Sequence, residues 1–539
     1  MKPLHFILIV LVSFASPAQD YFPTNKGVKT ENSKQIMLTG ATIHMNPLQK
    51  IDNGMLLIEN GKIKAVGTAL NISQNALVID FKGKHLYPSF VELHSDFGIQ
   101  ALKSKSSGRR SVHYNANRKG YYWNDHIIPD YNSSTDFKYD SKKAKELRAA
   151  GFGVVNTHRK EGIHRGSSVL VALNDLQDNG YRMIEDRAAQ HLSFKKSNTS
   201  GQYYPGSIMG AMALIRQVYH DAAWYSNGGA KNKDLALEAL NKNQKLPSIF
   251  ETSNKLDLAR AAKIGKEFGK KYIIKAHGTE YEQLSTLKKF KPTLLVPVNF
   301  PAAFDVDDPF LSQKISLNKM RYWNQAPANP KAIAAAGIKF AFTSSDLKSV
   351  KDFLPNIRKA VQYGLSPERA LAALTTIPAQ LINQKGHVGE LKKGAYANLL
   401  VTDGPLFEKE TKIHENWVQG QQHIIQASAK TTIDGSYALN INKETYELIL
   451  SKSATKISAK TVQNSTTLKT EARYNNGWLT LRISDSSKTK FAQLKSKISD
   501  QSSFVGDGTF FDGSAVNWSA KKTEDSKPKK DKKDKEVLQ

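Results

Sequence analysis

Between residues 35 and 80 the chain alternates apolar and polar positions in short runs. They are Gln35-Ile36-Met37-Leu38-Thr39-Gly40-Ala41-Thr42-Ile43, Met55-Leu56-Leu57-Ile58-Glu59, Lys62-Ile63-Lys64-Ala65-Val66-Gly67 and Ala76-Leu77-Val78-Ile79-Asp80. Asn53-Gly54 and Asn60-Gly61-Lys62 punctuate them with turn chemistry, so the pattern predicts a small antiparallel sheet. From about residue 86 to 385 the rhythm changes. Apolar runs such as Leu294-Leu295-Val296-Pro297-Val298 alternate with helical segments such as Leu256 to Phe268, where Leu258, Ala261, Ala262 and Phe268 fall near one face. Alternation sustained over that length predicts an α/β fold, a TIM (β/α)8 barrel in place of an open sheet, because no Gly-x-Gly-x-x-Gly follows a strand. Its working face is expected at the C-terminal ends of the strands.

A further strand-like segment runs from Gly389 to Asp403, and Tyr437-Ala438-Leu439-Asn440-Ile441, Tyr446 to Leu450 and Trp478 to Ile483 alternate as strands again. The expected organisation is therefore a composite β-sandwich from 19–85 and 386–428, the barrel over 86–385 and an accessory β-rich module over 429–519. A Lys-rich tail over 520–539 is expected to be disordered, since Lys521 to Lys535 is a Lys/Asp/Glu mixture without large apolar residues. Such a tail reads like a linker to a second, partner domain of the same kind. The segment Tyr203 to Tyr225 reads as a packed helix entered from a Gly/Pro turn.

Residues 1–18 add a location. Met1-Lys2, the apolar stretch Phe6 to Val12 and Ser16-Pro17-Ala18 have the layout of a signal peptide, so an exported, periplasmic or secreted protein is expected. The apolar stretch is too short for a membrane span, and no membrane insertion is expected. With no cysteine among 539 residues, disulfides, thiolate ligands and a Cys nucleophile are excluded, and any metal must be held by His, Asp, Glu or a modified Lys. The formal charge of +28 raises polyanion binding. The lysines are scattered, with no basic helix face and no aromatic-interleaved run, so the reading is a solvated basic surface and no nucleic-acid partner.

The candidate chemistry starts at Tyr87-Pro88-Ser89-Phe90-Val91-Glu92-Leu93-His94-Ser95-Asp96. A His ending an apolar run, two positions from a second coordinating side chain, puts two ligands on one side of an extended strand. His277 also ends an apolar run, with a hydrogen-bonded structural role as the competing reading. Asp346 closes Phe342-Thr343-Ser344-Ser345-Asp346, where a helix cap is the competing reading. In Thr157-His158-Arg159-Lys160-Glu161-Gly162-Ile163-His164-Arg165, a strand meets its loop. His158, Arg159, His164 and Arg165 are candidate contacts for a substrate carboxylate, against a solvent-facing basic loop.

Three pieces taken together, residues 83–96, Phe342 to Asp346, and Ala372-Ala373-Leu374-Thr375-Thr376-Ile377-Pro378-Ala379 running into Val388 to Val401, resemble the amidohydrolase superfamily, its imidazolonepropionase-like and dihydroorotase-like members especially. The resemblance spans about residues 35 to 425. It implies a β-sandwich built from both chain ends beside a TIM barrel, and one or two divalent metals at the barrel mouth that lower the pKa of a bound water and polarise a carbonyl. Carried over, His94 matches the first His of His-x-His and Asp96 stands at the second. His277 matches the His of the sixth strand, and Asp346 the metal-binding, proton-shuttling Asp of the eighth. Where the family has a His on the fifth strand this chain has Glu251, expected to be a non-ligand. The bridging residue falls near Ala188 to Lys196, where Lys195 and Lys196 read as surface lysines.

The resemblance thus implies a metal-dependent hydrolase of C–N bonds in small amide or dipeptide-like molecules. One Zn or Mn would be held by His94, Asp96, His277 and Asp346, with Asp346 as general base. The altered ligand set leaves a second reading open, a catalytically inactive domain that binds a ligand or supports an active partner domain or a second copy.

Overall fold

The computed structural model describes residues 35–71, 76–102, 118–175, 179–305, 307–426, 433–442, 444–452, 457–475, 478–498 and 502–524. The expected signal segment and residues 525–539 of the expected tail lie outside them. The molecule is a mixed α/β fold with a TIM-barrel-like domain at its centre.

The apolar runs of the middle region form the barrel wall. Phe90–Ser95 lies parallel to Phe152–Thr157, pairing Phe90 with Phe152 and Val91 with Val154. On the other side Gln190–Ser193, Ser248–Glu251, Tyr272–Lys275, Thr293–Pro297 and Phe340–Thr343 pair in parallel in that order. These strands are buried on both faces, and that is why they read as continuous apolar runs instead of alternating ones.

One stave departs from the expected all-parallel barrel. Residues 164–172 run opposite to their neighbours: Val169–Ala172 pairs antiparallel with Phe152–Thr157, and His164–Ser167 antiparallel with Gln190–Ser193. Only residues 158–163 connect the end of Phe152–Thr157 to this stave. A parallel neighbour needs a crossover of a dozen residues or more, so so short a link returns the chain antiparallel.

Between Phe340–Thr343 and Phe90–Ser95 the wall is tied by one side chain. The fully buried Glu92 carboxylate accepts from Thr343 Oγ1 at 2.7 Å, Ser344 N at 2.6 Å, Ser344 Oγ at 2.7 Å and His94 N at 2.9 Å. Burial pushes its carboxyl above the usual range, and these hydrogen bonds pull the other way. The helices behave as their patterns predict. Lys255–Glu267 is capped by Asn254, which accepts from Leu256 N and Asp257 N at 3.0 Å each, and buries Leu258, Ala261 and Ile264. Ile208–Ser226 packs Leu214, Ile215 and Val218 inward.

An eight-stranded sheet draws its strands from both sides of the barrel segment: Ile36–Asn46 through Pro88, and Leu399–Thr402 through Ile424. Its junction is Leu399 against Pro88 and Leu400 against Tyr87. Asn416 bolts it to the barrel by donating to Arg148 O at 3.0 Å and Phe152 O at 2.9 Å and accepting from Ser89 Oγ at 2.8 Å. The C-terminal region forms a separate nine-stranded antiparallel sheet with its own core of Tyr437, Leu439, Leu448, Leu481, Phe504 and Trp518. It curls toward closure, with Thr470 Oγ1 at 2.9 Å from Thr461 Oγ1. Its last strand, Ala515–Glu524, takes in five residues, Ala520 to Glu524, that composition alone assigned to the disordered tail. No helix among the described residues is long and apolar enough to cross a membrane.

Candidate active site

At the barrel mouth the side chains that converge are three histidines. His94 comes from Phe90–Ser95, His158 follows Phe152–Thr157 directly, and His191 stands in Gln190–Ser193. Each offers a ring nitrogen within 4.8 Å of the others, and among the described residues no other His, Asp and Glu group gathers in this way. The His158 and His191 rings stack at 3.6 Å, and His94 meets His158 edge-on at 4.5 Å.

Their nitrogens are short of partners. His158 Nδ1 donates to Arg159 O at 2.8 Å, which leaves its Nε2 as a bare, buried lone pair. His191 Nε2 lies 3.4 Å from Asn156 Nδ2, leaving Nδ1 without a partner. Neither nitrogen of His94 has one. Burial, followed by the repulsion of neighbouring cations and imidazoles, holds all three rings neutral: His94 and His191 well below the ordinary value, His158 at about 3. Neutral imidazoles with buried, unpartnered nitrogens are the donor set that Zn²⁺ and its neighbours take. A bond of about 2.1 Å to each nitrogen allows spacings of up to about 4.2 Å, and the cluster's nitrogens lie within 4.8 Å of one another.

The carboxylates around this cluster are each matched by an internal cation. Glu251 Oε2 receives Arg165 Nη1 at 2.5 Å and stands 3.7 Å from His94 Nε2. Burial alone would raise the Glu251 carboxyl; Arg165 and then Lys275 outweigh it and hold it at about 2. Asp346, in a left-handed backbone conformation with φ 72°, is bonded by the buried Lys275 ammonium. Asp96 pairs with Lys160 at 3.0 Å, and both side chains are about half exposed.

Of the four residues expected to share one metal, His94 alone lies in the converging group. Asp96 points to Lys160, Asp346 to Lys275, and His277 Nδ1 sits 3.0 Å from Thr279 Oγ1 and 3.6 Å from Glu280 Oε1. Two carboxylates satisfied by ammonium groups have no electrostatic need of an ion, which is the physical reason they stand apart. Of the expected substrate contacts, His158 joins the cluster. His164 is buried against Gln190 Oε1 at 3.1 Å, Arg165 is buried in its pair with Glu251, and Arg159 donates to Thr199 Oγ1 at 3.3 Å with its guanidinium 5.4 Å over the Tyr131 ring. Asp346 caps no helix; the next one takes its cap from Ser349. The sequence reading did not single out His191. Its signal was a lone His inside Ala188-Ala189-Gln190-His191-Leu192-Ser193, in the window where lysines drew attention.

Residues 251–443 match the amidohydrolase family. No curated protein matches the sequence. Among solved structures, an amidohydrolase from Thermotoga maritima aligns over 72% of this chain and 99% of its own at 19% identity, with a TM-score of 0.56. A prolidase complexed with N-methylphosphonate-L-proline covers 73% and 100% at 14% identity and TM-score 0.43. A beta-aspartyl dipeptidase from Fervidobacterium islandicum covers 74% and 99% at 12% identity and TM-score 0.42. The first of these likenesses speaks for the barrel fold.

Proposed function

We propose that this chain, whose residues 251–443 match the amidohydrolase family, is a hydrolase of C–N bonds whose divalent metal is held by His94, His158 and His191. One observation carries the reading: three neutral, buried imidazoles with bare nitrogens meet at the end of the barrel strands, where the fold delivers its chemistry. A metal bound there supplies Lewis acidity and an acidified water.

The chain's own residues supply the rest. Arg165 keeps Glu251 ionised beside His94 as half of an internal ion pair. The general-base role is assigned to Asp346, at the end of its barrel strand, whose carboxylate Lys275 bonds and orients. The layout of residues 1–18 supports an exported protein, which fractionation of the expressing cell tests.

The mature protein is expected to retain close to one Zn or Mn per chain by elemental analysis and to hydrolyse members of a panel of N-acyl amino acids, dipeptides and cyclic amides. Protein that stays metal-free after dialysis against Zn²⁺ and Mn²⁺ and turns over nothing sinks the proposal. It would instead favour the ligand-binding reading, which the three internally neutralised carboxylates already support.

A further inference from the structure

Charge is distributed unevenly between the two ends of the barrel. At the mouth, Lys160, Arg165 and Lys275 are each matched by a carboxylate. At the opposite end, where the strands begin, a groove of about 550 Å³ lies between the last turns of Lys255–Glu267 and Leu284–Phe290. Its rim carries Lys266, Lys270, Lys271, Lys289 and Lys291, and no Asp or Glu lines it. None of these lysines has a carboxylate within ion-pair distance among the described residues. Glu267, an acid next to Lys266 in sequence, is held by Arg216 Nε at 2.8 Å.

Helix ends account for part of this charge, since C-terminal carbonyls favour a cation in the last turn. Lys266 and Lys289 stand there. Lys270, Lys271 and Lys291 lie beyond the helices, ahead of Tyr272–Lys275 and Thr293–Pro297. The flanking strands begin in the same way, with Lys245 ahead of Ser248–Glu251 and Lys339 ahead of Phe340–Thr343. These four strands pair side by side about 4.8 Å apart, so the fold gathers lysines spread over residues 245 to 339 into one arc.

Two features set the groove apart from a solvated surface. Lys270 is partly buried, and its Nζ donates to the neutral Gln244 Oε1 at 2.5 Å and lies 5.8 Å over the Tyr219 ring. Its charge is thus drawn out of water without being cancelled. Lys291 closes Leu284–Phe290 in a left-handed conformation, φ 46°, at a position that favours glycine or asparagine. Beneath the ammonium groups the floor is apolar, formed by Ala262, Phe290 and Pro292.

A cleft of this volume suits a small molecule in place of a flat macromolecular surface. Lysines act as point charges that suit phosphate oxygens, and no arginine fork of the kind that matches a carboxylate lines the groove. We propose that the groove binds a phosphate monoester with an apolar body, its phosphate among Lys270, Lys271 and Lys291 and its body against Phe290 and Pro292. The site stands at the other end of the barrel from the histidine cluster and does not depend on the hydrolase reading.

The test titrates the full chain with naphthyl phosphate, inorganic phosphate and naphthol by calorimetry. A second arm floats the chain with phosphatidylcholine vesicles with and without phosphatidic acid, which presents the same monoester on a lipid. Naphthyl phosphate is expected to bind at least about tenfold more tightly than either fragment, and to weaken between about 0.01 M and about 0.15 M salt as the screening length falls from about 30 Å to about 8 Å. Lys270→Met and Lys291→Gly should each weaken it up to about fivefold, the upper end for an exposed ion pair, and together by more. Lys291→Gly relieves the left-handed backbone, so its loss of binding should come with unchanged or higher stability. Lys138→Met removes an equal charge at an exposed site elsewhere and should leave binding unchanged. Lysine-dependent flotation with phosphatidic acid but no binding of naphthyl phosphate identifies a lipid as the source and keeps the site. No binding in either arm overturns the proposal, as does binding that the groove variants leave intact or that Lys138→Met weakens equally.

Discussion

At the scale of single residues, the cost of burying His94 with both ring nitrogens unpartnered is the central fact. Each buried polar atom without a hydrogen bond costs about 1–3 kcal/mol, and the three cluster rings together leave several. A metal ion removes that cost, so Zn²⁺ or Mn²⁺ is expected to raise the melting temperature of metal-free protein. His94→Ala and His191→Ala should each abolish the rise. Asp96→Ala, which removes only a half-exposed pair with Lys160, should leave it intact; a variant that loses the rise would return Asp96 to the ligand set. The same burial sets the response to acid. His158 and His164 are held at about 3 and about 4, below the 6.5 of an unfolded histidine. Groups depressed in this way stabilise the fold fully above pH 6.5 and lose that contribution as pH falls toward the folded values. By pH 5 the loss is about 2 kcal/mol for each, so metal-free protein should melt markedly lower at pH 5 than at pH 7. An unchanged melting temperature would mean the rings are not buried neutral.

At the scale of elements, the reversed stave over residues 164–172 does the positioning, because it fixes the strand of His191 against that of His158. Gly166 lies within it at φ 79°, and a Cβ there would sit 2.1 Å from Tyr131 O. Gly166→Ala combines a left-handed conformation with a backbone clash and is expected to cost about 2 kcal/mol or more, read as a lower urea midpoint with unchanged slope. The bolt at Asn416 makes a separate prediction. Asn416→Ala strands Ser89 Oγ and two backbone carbonyls and should cost about 2–4 kcal/mol in the same assay, while a loss under 0.5 kcal/mol would show that the sheet needs no such tie. The helix of Leu256 to Phe268 was legible in its periodicity to within one residue at each end. The reversed stave was not, because a strand's pattern of burial is the same in either direction.

At the scale of the whole molecule, the nine-stranded sheet is joined to the composite sheet through a buried ion pair. Lys497 bonds Glu415, which also accepts from Trp417 Nε1 at 2.8 Å and Gln422 Nε2 at 2.9 Å, and Trp478 Nε1 donates to Gln422 Oε1 at 2.8 Å. Removing one partner leaves a buried charge, so Lys497→Met should destabilise by about 3–5 kcal/mol. Adding Glu415→Gln should recover part of that, and a double variant no better than the single would mean the charge is not what the junction senses. The net charge of +28 belongs to this scale too, and at the barrel mouth Lys160, Arg165 and Lys275 are engaged pair by pair with carboxylates.

What the sequence determined by itself was whatever depends on neighbours along the chain: strand and helix periodicity, the barrel-forming alternation, the β-rich C-terminal region, the exclusion of thiolate chemistry, and His94 at the end of the first barrel strand. The tertiary structure decided which distant side chains meet. His94, His158 and His191 lie 64 and 33 residues apart in succession, and their approach depends on a stave whose direction was set by a six-residue link. The partners of Asp96 and Asp346 were equally out of reach, because Lys160 and Lys275 become neighbours only when the strands close into a ring. A ligand must be both near and unsatisfied, and hydrogen bonds and ion pairs between strands fix both conditions only in the folded chain.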